Sequence, residues 1–209
     1  MLTWFSREFA SELMDEAKIE NIAVEEIMNR GLKSVLPGSD GLILQPYWGP
    51  ALSRPMAKGM IIGFTDIHTR DHLYRAIIEG IAYGLLDGLQ SIERSQKHKV
   101  KELRISGGGS QNESICQITA DIFGLPVKRV QTYETTTLGA SMSAFLAAGE
   151  FSSIDEATEA MSHVTDTFYP NEEAHEKYDY LYKKVYLKLY PSLKKVHRRV
   201  DHYDKKKNK

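Results

Sequence analysis

One stretch limits the folds open to this sequence more than any other. Leu103-Arg-Ile-Ser106 is followed by three glycines at 107–109 and then by an apolar-periodic run from 112 to 123. The order predicts a strand, a glycine loop and a helix in immediate succession, a unit of α/β proteins. Glycines at such a junction let the backbone approach a ligand where a Cβ would collide. The helix start that follows carries unpaired N–H groups and a partial positive charge. Those properties suit a nucleotide; they also suit a plain tight turn. No Gly-Lys-Ser/Thr follows, so the loop is not a P-loop, and a dinucleotide fingerprint would need a third glycine where Asn112 stands.

The rest of the chain supplies the same kinds of element. Residues 3–17 and 23–34 are expected as amphipathic helices. Leu42–Leu44 and Met60–Phe64 read as strands on either side of an irregular segment rich in Pro and Gly. A long helix is expected over 69–93, strands at Leu103–Ser106 and Val127–Val130, and a helix over 112–123 stopped by Gly124 and Pro126. Helices are expected at Thr137–Ala148, N-capped by Thr135, Thr136 and Thr137, and at Ile154–Met161. An extended piece at 165–169 precedes a last helix over 171–190, which Pro191 kinks or ends. Alternation of strand and helix argues α/β with a substantially parallel sheet. The expected division is a domain over 1–193 and a flexible basic tail over 194–209, where eight Lys/Arg face two Asp.

Composition narrows the function classes. The chain has 209 residues, 42% hydrophobic and 26% charged, with a formal net charge of −1. That charge argues against a dedicated nucleic-acid binder. No run of 18 apolar residues suggests a membrane span, and the start lacks a signal-peptide pattern. Cys116 is the only cysteine, so an intrachain disulfide is impossible and a reducing, cytoplasmic setting is expected. It sits between Ile115 and Ile118 and reads as buried and inert. His68 and His72 are four apart, but no third metal ligand is evident, and ordinary polar roles are expected. Gly80, Gly84 and Gly88 form a stripe on the long helix, expected as a close packing surface. Gly139, Ala140, Ser141, Ser143, Ala144, Ala147 and Ala148 suggest a second closely packed helix. Glu134 reads as a surface or cap residue, or as a site carboxylate. Leu2, Trp4, Phe5, Phe9 and Leu13 make an apolar helix at the start of the chain, which leads to the expectation that a further segment precedes it.

Several of these segments resemble the C-terminal half of the FGGY family of carbohydrate kinases. Gly59-Met-Ile-Ile-Gly63-Phe64, seven residues, and His72-Leu-Tyr-Arg-Ala-Ile-Ile-Glu79 resemble the family's second signature. Ser106-Gly-Gly-Gly-Ser110, Gln117-Ile-Thr-Ala-Asp121 and Gly124-Leu-Pro-Val127 resemble its adenosine-binding block, and Glu134 with Leu138-Gly139-Ala140 resembles the continuation. Where many members have Gly-Glu-Arg-x-Pro, this chain has Gly49-Pro-Ala-Leu-Ser-Arg54-Pro55, without the Glu. The resemblance implies an actin-like, ribonuclease-H-like fold and transfer of the ATP γ-phosphoryl group, with Mg²⁺, to a sugar or polyol hydroxyl. A pentulose such as xylulose is favoured, with glycerol and gluconate as further candidates. It implies that Gly107, Gly108 and Gly109 lie against the adenosine, Asn112 beside the purine or ribose, and Thr3 near the phosphates. The catalytic Asp belongs to a preceding N-terminal domain, so this chain alone is expected to be inactive. A homodimer is left open. The rival reading is a non-catalytic actin-like module that binds a protein.

Overall fold

The structure, a computed structural model, describes residues 1–49 and 54–207, with side chains to Tyr203. The departure noted between Gly49 and Arg54 lies outside the described residues at positions 50–53. The chain opens with three short helices, α1 (Leu2–Phe9), α2 (Leu13–Glu20) and α3 (Val24–Arg30), and a 3₁₀ turn at Gly31–Ser34. The single helix expected over 3–17 is therefore two. Phe5 and Ala10 are both fully buried. Five residues apart, they would point roughly 140° away from each other on one continuous helix, and the turn at Ala10 brings both into the core.

β1 (Ile43–Gln45) pairs antiparallel with β2 (Met60–Ile62) and lies across α4 (Arg70–Gln96). A capping box starts α4: Thr69 and His72 bond reciprocally. His72 Nε2 also lies 3.1 Å from Asp40, while His68 Nδ1 accepts from the Thr65 N–H at 2.9 Å. These are the polar roles of the two histidines.

A second sheet holds β3 (Leu103–Ile105), β4 (Val127–Val130) and β5 (Val164–Phe168), in that order. β3 and β4 are parallel, but β4 and β5 are antiparallel, with an irregularity at Arg129/Val130. The expectation of a substantially parallel sheet is thus corrected to a mixed one. α5 (Glu113–Phe123) is the crossover between β3 and β4. No helix of parallel-crossover type joins β4 to β5; α6 (Thr135–Ala147) and α7 (Ile154–Met161) form a hairpin-like excursion instead.

α6 departs from expectation twice. It begins at Thr135, so the three threonines lie inside it and Glu134 occupies the N-cap without a side-chain cap bond. Met142 is its only buried residue among those described, and a Cβ on Gly139 would meet nothing within 4 Å. Its small residues face solvent rather than a close neighbour.

α8 (Glu172–Leu181) continues through a π-helical segment, Tyr182–Tyr186, into α9 (Leu187–Lys207). Pro191 does not end the helix; it sits inside α9, just beyond the widened turn. Residues 194–207, in the stretch expected as a flexible basic tail, are helical and continue α9. Tyr182 and Tyr186 pack on Tyr83, with ring centroids 5.7 and 5.1 Å away.

The glycine stripe on α4 divides into three cases. A Cβ on Gly80 would lie 2.5 Å from the Leu44 carbonyl oxygen of β1, and one on Gly84 would lie 3.1 Å from Pro46 Cγ. A Cβ on Gly88 would meet nothing within 4 Å, so the packing surface ends at Gly84. Gly80→Ala should therefore lower stability by about 1–3 kcal/mol through overpacking against backbone. Gly88→Ala should raise it by up to about 1 kcal/mol through helix propensity. Thermal melts that shift in the same direction for both would contradict this close approach of α4 and β1.

Burial raises the phenol pKa values of Tyr83, Tyr178 and Tyr186 well above normal and pushes Tyr182 up to about 12. The folded chain therefore holds these protons more tightly than the unfolded chain, whose tyrosines titrate near pH 10. The neutral forms stabilise the fold fully below that range, and the contribution is lost as pH rises through the folded values. Urea midpoints should be level to about pH 9 and then fall. A midpoint that stays level up to the pH of base-induced unfolding would show that these phenols are not sealed.

Candidate functional site

The glycine loop is shaped by its first residue. Gly107 has φ +80°, a conformation that favours glycine, and turns the chain out of β3. Its N–H donates to the Tyr133 carbonyl at 3.1 Å, and its own carbonyl accepts the Ser110 N–H at 3.0 Å and hydroxyl at 2.7 Å. Gly108–Gln111 then form a single 3₁₀ turn. Asn112 is the N-cap of α5, its side chain accepting the Ile115 N–H at 3.1 Å.

The loop is held from behind. Arg129 of β4 donates to the carbonyls of Ser110 and Gln111 at 3.3 and 3.4 Å, while Asp166 of β5 pairs with the same guanidinium at 2.8 Å. Cys116 lies beneath, its thiol donating to the Ser110 carbonyl at 3.4 Å. Its role is support, and burial pushes its pKa up to about 11.

In front of the loop is a cleft of about 660 Å³. One side is Gly108, Gly109, Gln111 and Asn112; the other is Thr3 of α1 with Glu25, Glu26, Asn29 and Arg30 of α3. Tyr74 at the base sets the opposite wall. Its ring stacks on Phe5 of α1 at 5.7 Å, and its hydroxyl donates to Asn29 Oδ1 at 2.9 Å. Thr3 and Gly108, more than a hundred residues apart in sequence, thus line the same space.

Of the five residues singled out from the sequence, Thr3, Gly108, Gly109 and Asn112 line the cleft. Gly107 does not; its part is the turn. A Cβ on Gly108 would meet no protein atom within 4 Å, so the space it faces is open. Glu134 is exposed at the start of α6 and does not line this cleft. The wall from α3 was not foreseen. The periodicity of Val24–Arg30 marks Ile27 and Met28 as inward, but nothing local shows what the outer face opposes. Asp121, quoted in the adenosine block, has a structural role. It accepts the Asn171 N–H at 2.8 Å and a Gln117 side-chain N–H at 2.8 Å, joining α5 to α8.

Among the described residues, no group of three His, Cys, Asp or Glu side chains is placed to hold a metal ion, and no helix is long and apolar enough to cross a membrane.

The fold and the sequence both match known proteins. The model of the FGGY family of carbohydrate kinases, C-terminal domain, matches residues 2–148. A xylulose kinase of Staphylococcus epidermidis is 33% identical over 180 residues, covering 85% of this chain and 36% of that protein. A glycerol kinase of Dechloromonas aromatica is 40% identical over 132 residues, covering 63% of this chain and 25% of that protein. The crystal structure of xylulose kinase from Rhodospirillum rubrum superposes with a TM-score of 0.78 at 26% identity, over 94% of this chain and 38% of that one. The fold is thus the actin-like, ribonuclease-H-like α/β architecture of sugar kinases. The chain belongs to the FGGY family of carbohydrate kinases and corresponds to its C-terminal domain. It spans about a third of the length of these relatives.

The support beneath the loop can be tested through its thiol. Native protein at pH 8 should react slowly with iodoacetamide at Cys116, and urea-unfolded protein rapidly, because only the thiolate attacks. Equal rates would mean that the loop opens freely.

Proposed function

We propose that the cleft between the 107–112 loop and helices α1 and α3 binds the adenosine part of ATP. In this reading the chain is the nucleotide-binding half of a kinase that transfers the γ-phosphoryl group to a hydroxyl of a sugar or polyol. The observation that carries it is the convergence of Thr3, Gly108, Gly109 and Asn112 on one cleft. A pentulose such as xylulose is the favoured acceptor, since xylulose kinases are among the relatives that match most of the chain.

The chemistry of the cleft fits a nucleoside. Gly108 and Gly109 present backbone without side chains, which lets a flat ring approach. Asn112 lines the cleft and uses its carbonyl oxygen to cap α5, so its amide N–H groups take no part in that cap. Thr3 supplies a hydroxyl from the opposite wall. Mg²⁺ would arrive with the phosphates and neutralise their charge during transfer. A base within hydrogen-bond reach of the acceptor hydroxyl, and a second wall to align the phosphates, would come from the part of the kinase that this chain does not span.

Calorimetric titration with Mg-ADP tests the reading. Binding should be weak but measurable in the parent chain. Gly108→Val should abolish it while leaving the melting temperature nearly unchanged. The new side chain would fill the ligand's space, and its Cβ meets no protein atom within 4 Å. A Val variant that binds Mg-ADP as tightly as the parent would overturn the assignment.

A further inference from the structure

The α3 wall of the cleft is built differently from the glycine loop that faces it. Ile27 and Met28 are buried and anchor the helix, while Glu25, Glu26 and Asn29 line the cleft. Glu25 and Glu26 take part in no ion pair among the described residues, whereas Arg30 beside them is engaged by Glu20 at 2.5 Å. Two uncompensated carboxylates repel phosphate oxygens. A nucleotide lying in this cleft is therefore turned with its phosphates away from α3, toward Thr3 of α1, and its base against α3.

Asn29 is the fixed polar group on that wall. The Tyr74 hydroxyl donates to its Oδ1 at 2.9 Å. Tyr74 is 1% exposed and its ring stacks on Phe5, so the phenol is locked in place. Burial, with the charge of Glu25, holds its pKa well above the ordinary value, so the hydroxyl keeps its proton and stays a donor. A donor at Oδ1 sets the orientation of the amide, since only the oxygen can accept. With Oδ1 taken by Tyr74, the amide N–H groups are what Asn29 has left to offer a ligand.

We propose that Asn29, held by Tyr74, selects adenine as the base. The inference rests on the reading given under Proposed function and deepens it. Along one edge adenine presents a ring nitrogen, N1, as acceptor beside an exocyclic amine as donor. An Asn29 N–H bonds N1, and the carboxylates one turn back on α3 accept from the amine. Hypoxanthine presents the reverse along that edge, an N1–H beside a carbonyl oxygen. Seated in the same orientation, it would set N–H against N–H and carbonyl against carboxylate. Polar groups left unpaired in this way are a strong basis for rejection. Tyr74 is a positioning residue: it acts through Asn29, by denying the amide its flipped orientation.

The test compares Mg-ADP with Mg-IDP, which differ only along that edge of the base, by calorimetric titration of the intact chain. The parent should bind Mg-ADP more tightly by about tenfold or more. Asn29→Asp exchanges the amide donor for an acceptor and should bring the ratio to about one or below. Its extra negative charge weakens both ligands alike and cancels in the ratio. Tyr74→Phe keeps the ring and frees the amide, and should lower the ratio by about threefold or more. Melting temperatures check that each variant is folded; if Tyr74→Phe does not fold, the Asn29→Asp ratio decides alone. A merely structural role would move both affinities together and leave the ratio unchanged, and that result overturns the proposal. Equal binding of the two nucleotides by the parent overturns it too, while leaving the nucleotide cleft in place. A parent that binds neither nucleotide removes both readings.

Discussion

The carboxylate of Glu79 is the point at which separate parts of the chain are joined. It accepts from the Gly38 N–H and the Ser39 hydroxyl, both at 3.0 Å, from Arg75 Nε at 2.8 Å and from the Tyr178 hydroxyl at 2.7 Å. Arg75 also donates to the Leu32 carbonyl at 2.7 Å and to the Tyr178 hydroxyl at 2.8 Å. Burial pushes the Glu79 carboxyl up, against the opposing pull of Arg75 and Tyr178. A charge pair taken out of water is costly unless its remaining donors and acceptors are satisfied, and removing one partner typically costs about 3–5 kcal/mol. Here the hydrogen bonds engage both carboxylate oxygens. The network ties α4 to the turn before β1 and to α8, whose continuation lays Tyr182 and Tyr186 over Tyr83.

The cleft inherits its shape from this joint. α4 is fixed at its buried middle by Glu79 and at its start by the Thr69–His72 capping box. Tyr74, five residues before Glu79 and so on a different face of α4, is thereby aimed at α1 and α3, where it stacks on Phe5 and donates to Asn29. One wall of the cleft is thus an outgrowth of the core rather than a surface loop. The other wall hangs from the sheet through Arg129 and Asp166. The packing of α5 on α4 sets the two walls at their separation.

The strand–loop–helix order around residues 103–123, the capped end at Gly124 and the long helix α4 were readable in the sequence because local rules produce them. So was the buried state of Cys116. The sheet's mixed direction was not, because the order of strand and helix does not record that α6 and α7 project outward and let β5 return antiparallel. The three-glycine loop shows the same limit more finely. Gly107 is favoured by its φ, Gly108 faces open space where a Cβ would meet no protein atom, and Gly80 on α4 is required by the carbonyl of Leu44. A sequence presents these as the same residue. Likewise the helix from Leu187 runs through Pro191 because the π-helical turn ahead of it has already changed the hydrogen-bond frame. Thr3 and Asn112 were singled out through the family resemblance; the walls from α3 had no such motif and needed coordinates.

Under the proposed reading, the division between binding and chemistry follows from which surfaces are complete. The adenosine cleft has two walls, both within this chain, and both are braced by buried groups. It can be formed before any partner arrives, and preorganisation of this kind lowers the ordering cost of a ligand. Phosphoryl transfer needs a closed site, since water admitted beside the γ-phosphate competes with the acceptor hydroxyl. A chain that braces both walls of the adenosine cleft is suited to hold the nucleotide before the acceptor site is closed.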